Sequence, residues 1–359
     1  MKRLNSVLAA ATVCAGLAYA PAAGAAELTP QQVAGDAAQS TISPLEPTPE
    51  IQSKSWYKKY KDDARVEKLE ATSPAMNGRK IPLAVIRAQN ENRPTLYLLN
   101  GAGGAEQDMD WLKLSDAVDF YHEKDINVVV PQAGAFSYYT DWISEPNSRY
   151  LQGPQKWETF LTKELPGAIE KHLNADNHRA IAGMSMSATS SLLLAQHNQG
   201  FYDAVGSFAG CAATAYPLEH QGIKLTVNRG GASVEQMWGP YGSETNRYND
   251  PLMNAEKLRG TELYISSGSG LASAEDTFSY LQSKGLNPRQ AALGSANLQI
   301  EGGLIEAGVS YCTHNLKAKL DQVGIPATYN FRNTGTHSWP HWIQDLKDSW
   351  PVFERAFNS

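Results

Sequence analysis

The sequence predicts an α/β fold built on a mostly parallel sheet with helices on both faces. Short apolar runs such as 95–99 and 126–131 have the length of buried strands. Longer segments with helix-forming or amphipathic composition, such as 156–172, separate these runs, and the two kinds of segment alternate along the chain. This alternation predicts parallel strands connected by helices.

The N-terminus has the features of a secretory signal peptide. Two basic residues precede an apolar run that ends at Ala20, and the small residues that follow predict cleavage near Ala25 or Ala26. Residues 1–26 are therefore expected to be removed and the protein to be exported. Segment 27–56 is rich in Ala, Gln, Thr and Pro and has little periodicity, so we expect a flexible leader there.

Composition restricts the classes of partner. The formal net charge is −6, and loss of the signal peptide makes it −8, because only Lys2 and Arg3 among the charged residues precede Glu27. An acidic exported protein lacks the clustered basic residues that nucleic acids and anionic membranes require, so we expect neither as a partner. The exported chain keeps Cys211 and Cys312, which predict one disulfide or two buried thiols.

Residues 57–359 are expected to form one domain. It begins with two antiparallel strands, at 65–72 and 80–87, because the Asn-Gly pair at 77–78 is typical of a hairpin turn. Between 212 and 259 the periodicity fades and Gly, Pro, Tyr and Asn accumulate. An insertion of this size at the edge of a sheet is expected to form a cap over the functional site.

Ser185 lies where a predicted strand meets a predicted helix. Gly183 precedes it by two residues and Ser187 follows it by two, which resembles the Gly-x-Ser-x-Gly nucleophile elbow except at its last position. The elbow requires small flanking residues because its turn is tight. The structural alternative is a serine that caps the N-terminus of a core helix.

A glycine-rich loop, 100–104, follows the strand at 95–99. It lacks the Lys-Ser/Thr pair of a phosphate-binding loop and the full Gly-x-Gly-x-x-Gly spacing. We therefore favour an oxyanion loop, in which a backbone N–H points at a reacting carbonyl group.

His337 is the preferred general base, since it lies in a loop between the last predicted strand and the last predicted helix. His341 is the nearby alternative. The order serine, acid, histidine is the one expected of an α/β-hydrolase fold. Glu301 and Glu306 both suit the acid, although either could stabilise a helix N-terminus instead, and Asp276 is expected to be solvated.

Seven blocks of sequence, in order, resemble the mycoloyltransferases of the antigen 85 type and their corynebacterial relatives. The similarity runs from about Arg65 to the C-terminus, and this family also carries a small non-glycine residue at the position of Ser187. The blocks are 96–101, 136–142, 156–166, 183–187, 237–240, 249–254 and 335–339.

The resemblance implies functional positions one at a time. The nucleophile of the family falls on Ser185 and its histidine on His337. Its glutamate falls on Glu306 rather than on Glu301 when the leucines at 316 and 320 are set on the helix pattern that follows that residue. The oxyanion donors fall on the backbone N–H groups of Met186 and Ala102.

The sugar side of the site departs from the family. The sugar-lining tryptophan falls on Trp339, but Asn100 replaces an aspartate and Gly103 replaces an arginine, both of which contact trehalose in the family. Asn100 can still hydrogen-bond a sugar hydroxyl, so we expect it to bind substrate, whereas Gly103 cannot. A bond between Cys211 and Cys312, which differs from the antigen 85 arrangement, would brace the Glu306 helix against the sheet.

The resemblance implies transfer of a mycoloyl group from trehalose monomycolate, through a serine acyl-enzyme, to a second trehalose monomycolate or to cell-wall arabinogalactan. The expected partners are these trehalose mycolates and cell-wall glycan acceptors, at the outer cell envelope, with a monomeric enzyme and neither metal nor organic cofactor. The alternatives are an exported carboxylesterase with the same triad and a non-catalytic cell-surface binding paralogue.

Overall fold

A computed structural model describes residues 38–359. The predicted signal peptide and the first part of the predicted leader lie outside these residues. The described chain forms a nine-stranded sheet in the order β1-β2-β3-β5-β4-β6-β7-β8-β9. The strands are β1 Ile42–Pro44, β2 Val66–Ser73, β3 Arg79–Ile86, β4 Thr95–Leu99, β5 Asn127–Pro131, β6 Arg179–Met184, β7 Ala204–Phe208, β8 Glu262–Ser267 and β9 Thr328–Phe331.

The sheet is antiparallel at one side and parallel through the rest. β1, β2, β3 and β5 pair antiparallel in succession, whereas every pairing from β5 through β4 to β9 is parallel. Strands β4 to β7 are buried along their whole length. They are buried on both faces because helices cover both, which explains their continuous apolar runs. The predicted α/β class is confirmed.

Two apolar layers cover the sheet. One layer packs the side chains of Tyr97, Leu99 and Ile181 with the helices on one face. The other packs Leu98 and Met184 with the helices on the opposite face. The helices are Pro49–Ser53, Ser55–Tyr60, Trp111–Leu114, Ala117–Glu123, Trp157–Thr159, Leu165–Leu173, Met186–His197, Pro217–Arg229, Val234–Trp238, Glu244–Tyr248, Phe278–Ser283, Pro288–Asn297, Gly303–Val323, Trp339–Asp348 and Trp350–Phe357.

The expectation of a flexible leader is wrong from Ile42 onwards. Strand β1 pairs antiparallel with β2, and Ile42 lies opposite Ala71. Two short helices follow, and Trp56 at the second of them is buried in the apolar layer that also contains Trp111. Composition alone missed this segment because its few apolar side chains are anchored by contacts with distant parts of the chain.

The segment expected to be a cap contains three helices between β7 and β8, at Pro217–Arg229, Val234–Trp238 and Glu244–Tyr248. It packs on the loop that follows β5, where Trp238 Nε1 donates to Thr140 Oγ1 over 3.0 Å. A second segment, 268–302, separates β8 from the Glu306 helix, which we define as Gly303–Val323. Within residues 38–359, no helix has the length and apolar character needed to cross a membrane.

Candidate active site

Ser185 occupies a tight turn between β6 and the helix Met186–His197. Its backbone has φ 56° and ψ −120°, which is a costly conformation for a residue with a side chain. Its side chain does not cap the helix, so the alternative of a simple helix cap is wrong. The strained turn instead presents the Ser185 hydroxyl beyond the carboxyl end of β6.

The serine at position 187 fits the elbow for a physical reason. A Cβ atom on Gly183 would lie 2.4 Å from Ser187 Oγ, so the two positions are in direct contact. The fully buried Ser187 hydroxyl accepts from Met184 N over 3.0 Å and also lies 3.1 Å from the carbonyl oxygen of Leu99. Ser187 therefore links the turn to β4, which glycine at this position could not do.

Three side chains that are distant in sequence form a hydrogen-bonded chain. His337 Nε2 lies 2.7 Å from Ser185 Oγ, and His337 Nδ1 lies 2.6 Å from Glu306 Oε2. Glu306 is buried, whereas Glu301 is exposed on the preceding π-helical turn, Leu298–Gly302. A carboxylate at Nδ1 places the proton there and leaves Nε2 to accept the serine proton.

Closely packed glycines bring the histidine and the acid together. The backbone N–H of Gly270 donates to Gly335 O over 3.0 Å, and that of His337 donates to Gly302 O over 3.1 Å. A Cβ atom on Gly268 would lie 2.5 Å from Gly335 O. The loops after β8 and β9 can therefore meet only because these positions lack side chains.

The expectation that Asp276 is solvated is wrong. It is fully buried, and its carboxylate accepts hydrogen bonds from both residues that flank His337, namely Thr336 and Ser338. Burial opposes its ionisation, but the nearby His341 ring and the hydrogen bonds from Ser273 and Thr336 outweigh that effect and hold the pKa of Asp276 well below its usual range. The sequence carries a signal for this burial, because Ser273 and Asp276 have the spacing of a capping box, and the structure contains that capping box.

His341, the alternative base, lies beside the Asp276 carboxylate. Its Nε2 atom is 3.2 Å from Ser273 Oγ and 3.7 Å from Asp276 Oδ2. These contacts place its ring nitrogen at the Asp276 cluster, whereas the contact with Ser185 is made by His337.

One predicted oxyanion donor, Ala102, lies on the glycine-rich loop, and the other, Met186, begins the helix that follows Ser185. β4 pairs with β6 so that Leu99 lies opposite Gly183, which brings the glycine-rich loop beside Ser185. The loop is held by the hydrogen bond from Phe136 N to Ala102 O, 2.8 Å. Met186 N–H belongs to the first turn of its helix, where backbone donors have no partner within the helix.

The expectation that Asn100 contacts a sugar is wrong. It is fully buried, and its side-chain amide donates to Pro131 O over 3.0 Å and accepts from Trp111 N over 3.1 Å. Its amide therefore holds the loops after β4 and β5 together. Trp339 is partly buried, and its ring lies edge-on to those of Trp111 and Trp342 at 5.4 Å.

The side chain of Gln107 occupies the space beside Gly103. A Cβ atom on Gly103 would lie 2.6 Å from Gln107 Oε1. The side chain of Gln107 is exposed, so its amide is a polar group that solvent or a ligand can reach next to the glycine-rich loop. Sequence reasoning missed it because the contact depends on how the 3₁₀ turn Ala105–Gln107 folds back.

A disulfide joins Cys211 to Cys312. Cys211 lies just after β7, and Cys312 lies on the Glu306 helix, less than two turns beyond the acid. The covalent bond therefore connects the Glu306 helix with the sheet that carries Ser185.

Apolar side chains are exposed around the N-terminal end of the Glu306 helix. Ile300 and Leu304 are 73% and 78% exposed, and Leu271 on the loop after β8 is 66% exposed. Ile305, directly before the acid, is 40% exposed. We call these four residues the apolar rim. Within residues 38–359, no cluster of His, Cys, Asp or Glu is arranged to hold a metal ion.

The sheet order, the strained serine turn and the Ser-His-Glu chain define an α/β-hydrolase fold with the geometry of a serine acyl-transfer site. A family model described as "Putative esterase" matches residues 73–352. Diacylglycerol acyltransferase/mycolyltransferase Ag85A of Mycobacterium tuberculosis (strain ATCC 25618 / H37Rv) is 30% identical over 302 residues, which cover 82% of each chain. The chain therefore belongs to the esterase family and, within it, to the antigen 85-type mycolyltransferases.

Further relatives agree with this assignment. Ag85A of Mycobacterium leprae is 31% identical over 300 residues, covering 81% of this chain and 83% of that protein. Among solved structures, MPT51 of Mycobacterium tuberculosis has a TM-score of 0.66 at 22% identity and covers 82% of this chain and 99% of its own. At that identity the structural likeness supports the fold alone.

Proposed function

We propose that the protein is a mycoloyltransferase that moves an acyl group from trehalose monomycolate to a sugar hydroxyl. Ser185 attacks the ester carbonyl while His337 takes its proton and Glu306 stabilises the imidazolium. Trehalose leaves with that proton, and the acyl group stays on Ser185. The sugar hydroxyl of a second trehalose monomycolate or of arabinogalactan then attacks the acyl-enzyme, and His337 acts as the base again.

The hydrogen-bonded chain Ser185–His337–Glu306 is the observation that carries this proposal, because a serine hydroxyl needs such a base to become a nucleophile. The N–H groups of Met186 and Ala102 are the proposed donors to the tetrahedral oxyanion. Neither N–H has an acceptor within the part of the chain that the structure describes. Unpaired donors beside the serine suit the stabilisation of developing negative charge.

The apolar rim supports a lipid donor. Its four side chains lie at the N-terminal end of the Glu306 helix and on the loop after β8, and exposed apolar area of this kind favours contact with alkyl chains over contact with water. The names of the relatives, which are acyltransferases and mycolyltransferases, agree with a lipid acyl group. We also propose export to the cell envelope, segment 212–259 as a cap, and action as a monomer without cofactor.

Incubation with trehalose monomycolate, followed by lipid separation, tests the proposal. We expect trehalose dimycolate to form with the wild-type protein and to disappear with Ser185→Ala. If the wild type released free mycolic acid and formed no dimycolate, the carboxylesterase alternative would replace the transferase. If neither product formed and Ser185 failed to react with a fluorophosphonate, the protein would be the non-catalytic paralogue.

A further inference from the structure

The loop that carries His337 is held by a second buried carboxylate, which belongs to Asp276. Its Oδ1 atom accepts from Thr336 Oγ1 over 2.7 Å and from Ser338 Oγ over 3.0 Å. Its Oδ2 atom accepts from Thr336 N over 3.2 Å. One carboxylate therefore binds the residue before His337 and the residue after it.

Asp276 is itself firmly anchored. Its carboxylate accepts from the N–H and the hydroxyl of Ser273, both over 2.9 Å. Its backbone carbonyl accepts from Ser295 Oγ over 2.8 Å and from Gln299 Nε2 over 3.3 Å. Asp276 is completely buried, so water does not compete for these bonds. The anchor belongs to segment 268–302, which also leads into the Glu306 helix.

The position of the imidazole depends on this anchor. Glu306 contacts the ring of His337 through Nδ1, the ring of Trp342 packs edge-on to it at 4.9 Å, and Gly302 O accepts from its backbone N–H. A rotation of the loop at His337 would move Nε2 away from Ser185 Oγ. The bonds to Thr336 and Ser338 oppose that rotation from both sides. A misplacement of about 1 Å in such a site costs a factor of about 100 in rate.

From this geometry we infer that Asp276 is a positioning residue for His337, which couples segment 268–302 to the general base. Asp276 does not touch the reacting atoms. It sets the distance between His337 Nε2 and Ser185 Oγ. The inference rests on the proposed function only in that His337 acts as the base for Ser185, and it holds whichever acceptor takes the acyl group.

Asp276→Asn tests the inference, because asparagine keeps the shape but replaces one of the two accepting oxygens with an NH₂ group, which cannot accept the hydrogen bond that Thr336 donates to that oxygen. We expect the rate at which a fluorophosphonate labels Ser185 to fall about 10- to 100-fold. With a short-chain nitrophenyl ester, kcat should fall by a similar factor while KM changes less than twofold. Both readouts need only Ser185 and His337, so they remain valid if transfer to trehalose fails.

Glu164→Gln is the matched control. Glu164 is a buried carboxylate that accepts from Ser73 Oγ over 2.5 Å and from Ala75 N over 2.7 Å, at the β2–β3 turn. We expect this variant to lose thermal stability and to keep the wild-type labelling rate. If Asp276→Asn also labelled at the wild-type rate while losing stability, Asp276 would be purely structural and the inference would be wrong.

Two milder variants cover the case in which Asp276→Asn does not fold. Thr336→Val and Ser338→Ala each remove a hydroxyl donor to Asp276. Each should lower the rate at which a fluorophosphonate labels Ser185, while KM for the nitrophenyl ester stays unchanged. Each should also weaken the downfield proton signal of the His337 Nδ1–H···Glu306 bond. Wild-type rates and an unchanged proton signal in both variants would overturn the inference.

Discussion

The backbone N–H of Gly268 donates to Glu306 Oε1 over 2.6 Å, which leaves Oε2 free to accept from His337 Nδ1. Both carboxylate oxygens are therefore used, and the orientation of the acid is determined by the loop after β8. The close approach of Gly268 to Gly335 brings the same loop to the one that carries His337.

Glu306→Gln should lower kcat about 10⁴-fold, because an amide at this position favours the wrong imidazole tautomer and cannot stabilise the imidazolium. Glu301→Gln is the matched control, since Glu301 is exposed five residues away, and it should keep wild-type turnover. Steady-state kinetics with a nitrophenyl ester measure both. Loss of turnover in the Glu301 variant alone would reverse the assignment of the acid.

Cys211→Ser/Cys312→Ser should lower the free energy of unfolding by about 2–5 kcal/mol, because the disulfide closes a long loop whose ends have a sequence separation of 101. Since Cys312 lies on the Glu306 helix, kcat should fall as well. Urea unfolding with and without reductant measures the first effect. The wild type under reducing conditions should match the double variant; equal stability of the wild type in both conditions would argue against a bond in solution.

Gly183→Ala should prevent formation of the elbow, because the new Cβ atom would also lie 2.6 Å from the backbone oxygen of Ser187. We expect a destabilisation of about 3 kcal/mol and loss of Ser185 labelling. Gly222→Ala is the matched control. Gly222 lies in the helix Pro217–Arg229 and nothing lies within 4 Å of its Cβ position, so the free energy of unfolding should rise by about 0.5–1 kcal/mol. Thermal unfolding distinguishes the two variants.

Glu106→Gln should change the pH dependence of stability. Glu106 Oε1 accepts from the N–H groups of Gly134 and Ala135, but Oε2 is buried without a partner within residues 38–359. Burial raises the pKa of Glu106 above its ordinary value of 4.5, against the lowering effect of those bonds. The folded protein therefore holds this proton more tightly than the unfolded chain does.

A raised carboxyl pKa contributes stability at acid pH that is lost as the pH rises from about 4.5 through the folded value. Relative to the wild type, Glu106→Gln should thus gain stability between acid and neutral pH. Denaturant unfolding at several pH values from 4 to 8 measures the difference. A difference that stays constant across this range would contradict the assigned pKa shift.

Gln107→Ala should impair transfer to sugars more than hydrolysis, because its exposed amide adjoins the glycine-rich loop and can hydrogen-bond a hydroxyl. We expect a several-fold rise in KM for trehalose monomycolate, with nitrophenyl ester hydrolysis unchanged. Gly103→Ala would displace the same amide and should reproduce the effect. If both variants transferred as well as the wild type, the sugar would be held elsewhere.

Much of the fold follows from local pattern. The buried runs at β4 to β7 could be located because both faces of these strands are covered, which leaves a continuous apolar signal. Local residues also divide two helical segments of the structure. Trp111–Leu114 ends at Ser115, whose hydroxyl accepts from Ala117 N, and the last helix restarts at Trp350, next to a proline.

The sequence by itself determined the alternation of strands and helices, the position of Ser185 between them, and a preference for His337 over His341 as the base, because each depends on neighbouring residues. It left the choice between Glu301 and Glu306 to the family resemblance. The tertiary structure alone decided that Asn100 is buried and that Asp276 holds the His337 loop. Both depend on contacts between loops far apart in sequence, and a local pattern carries no information about which distant donor will reach a carboxylate or an amide.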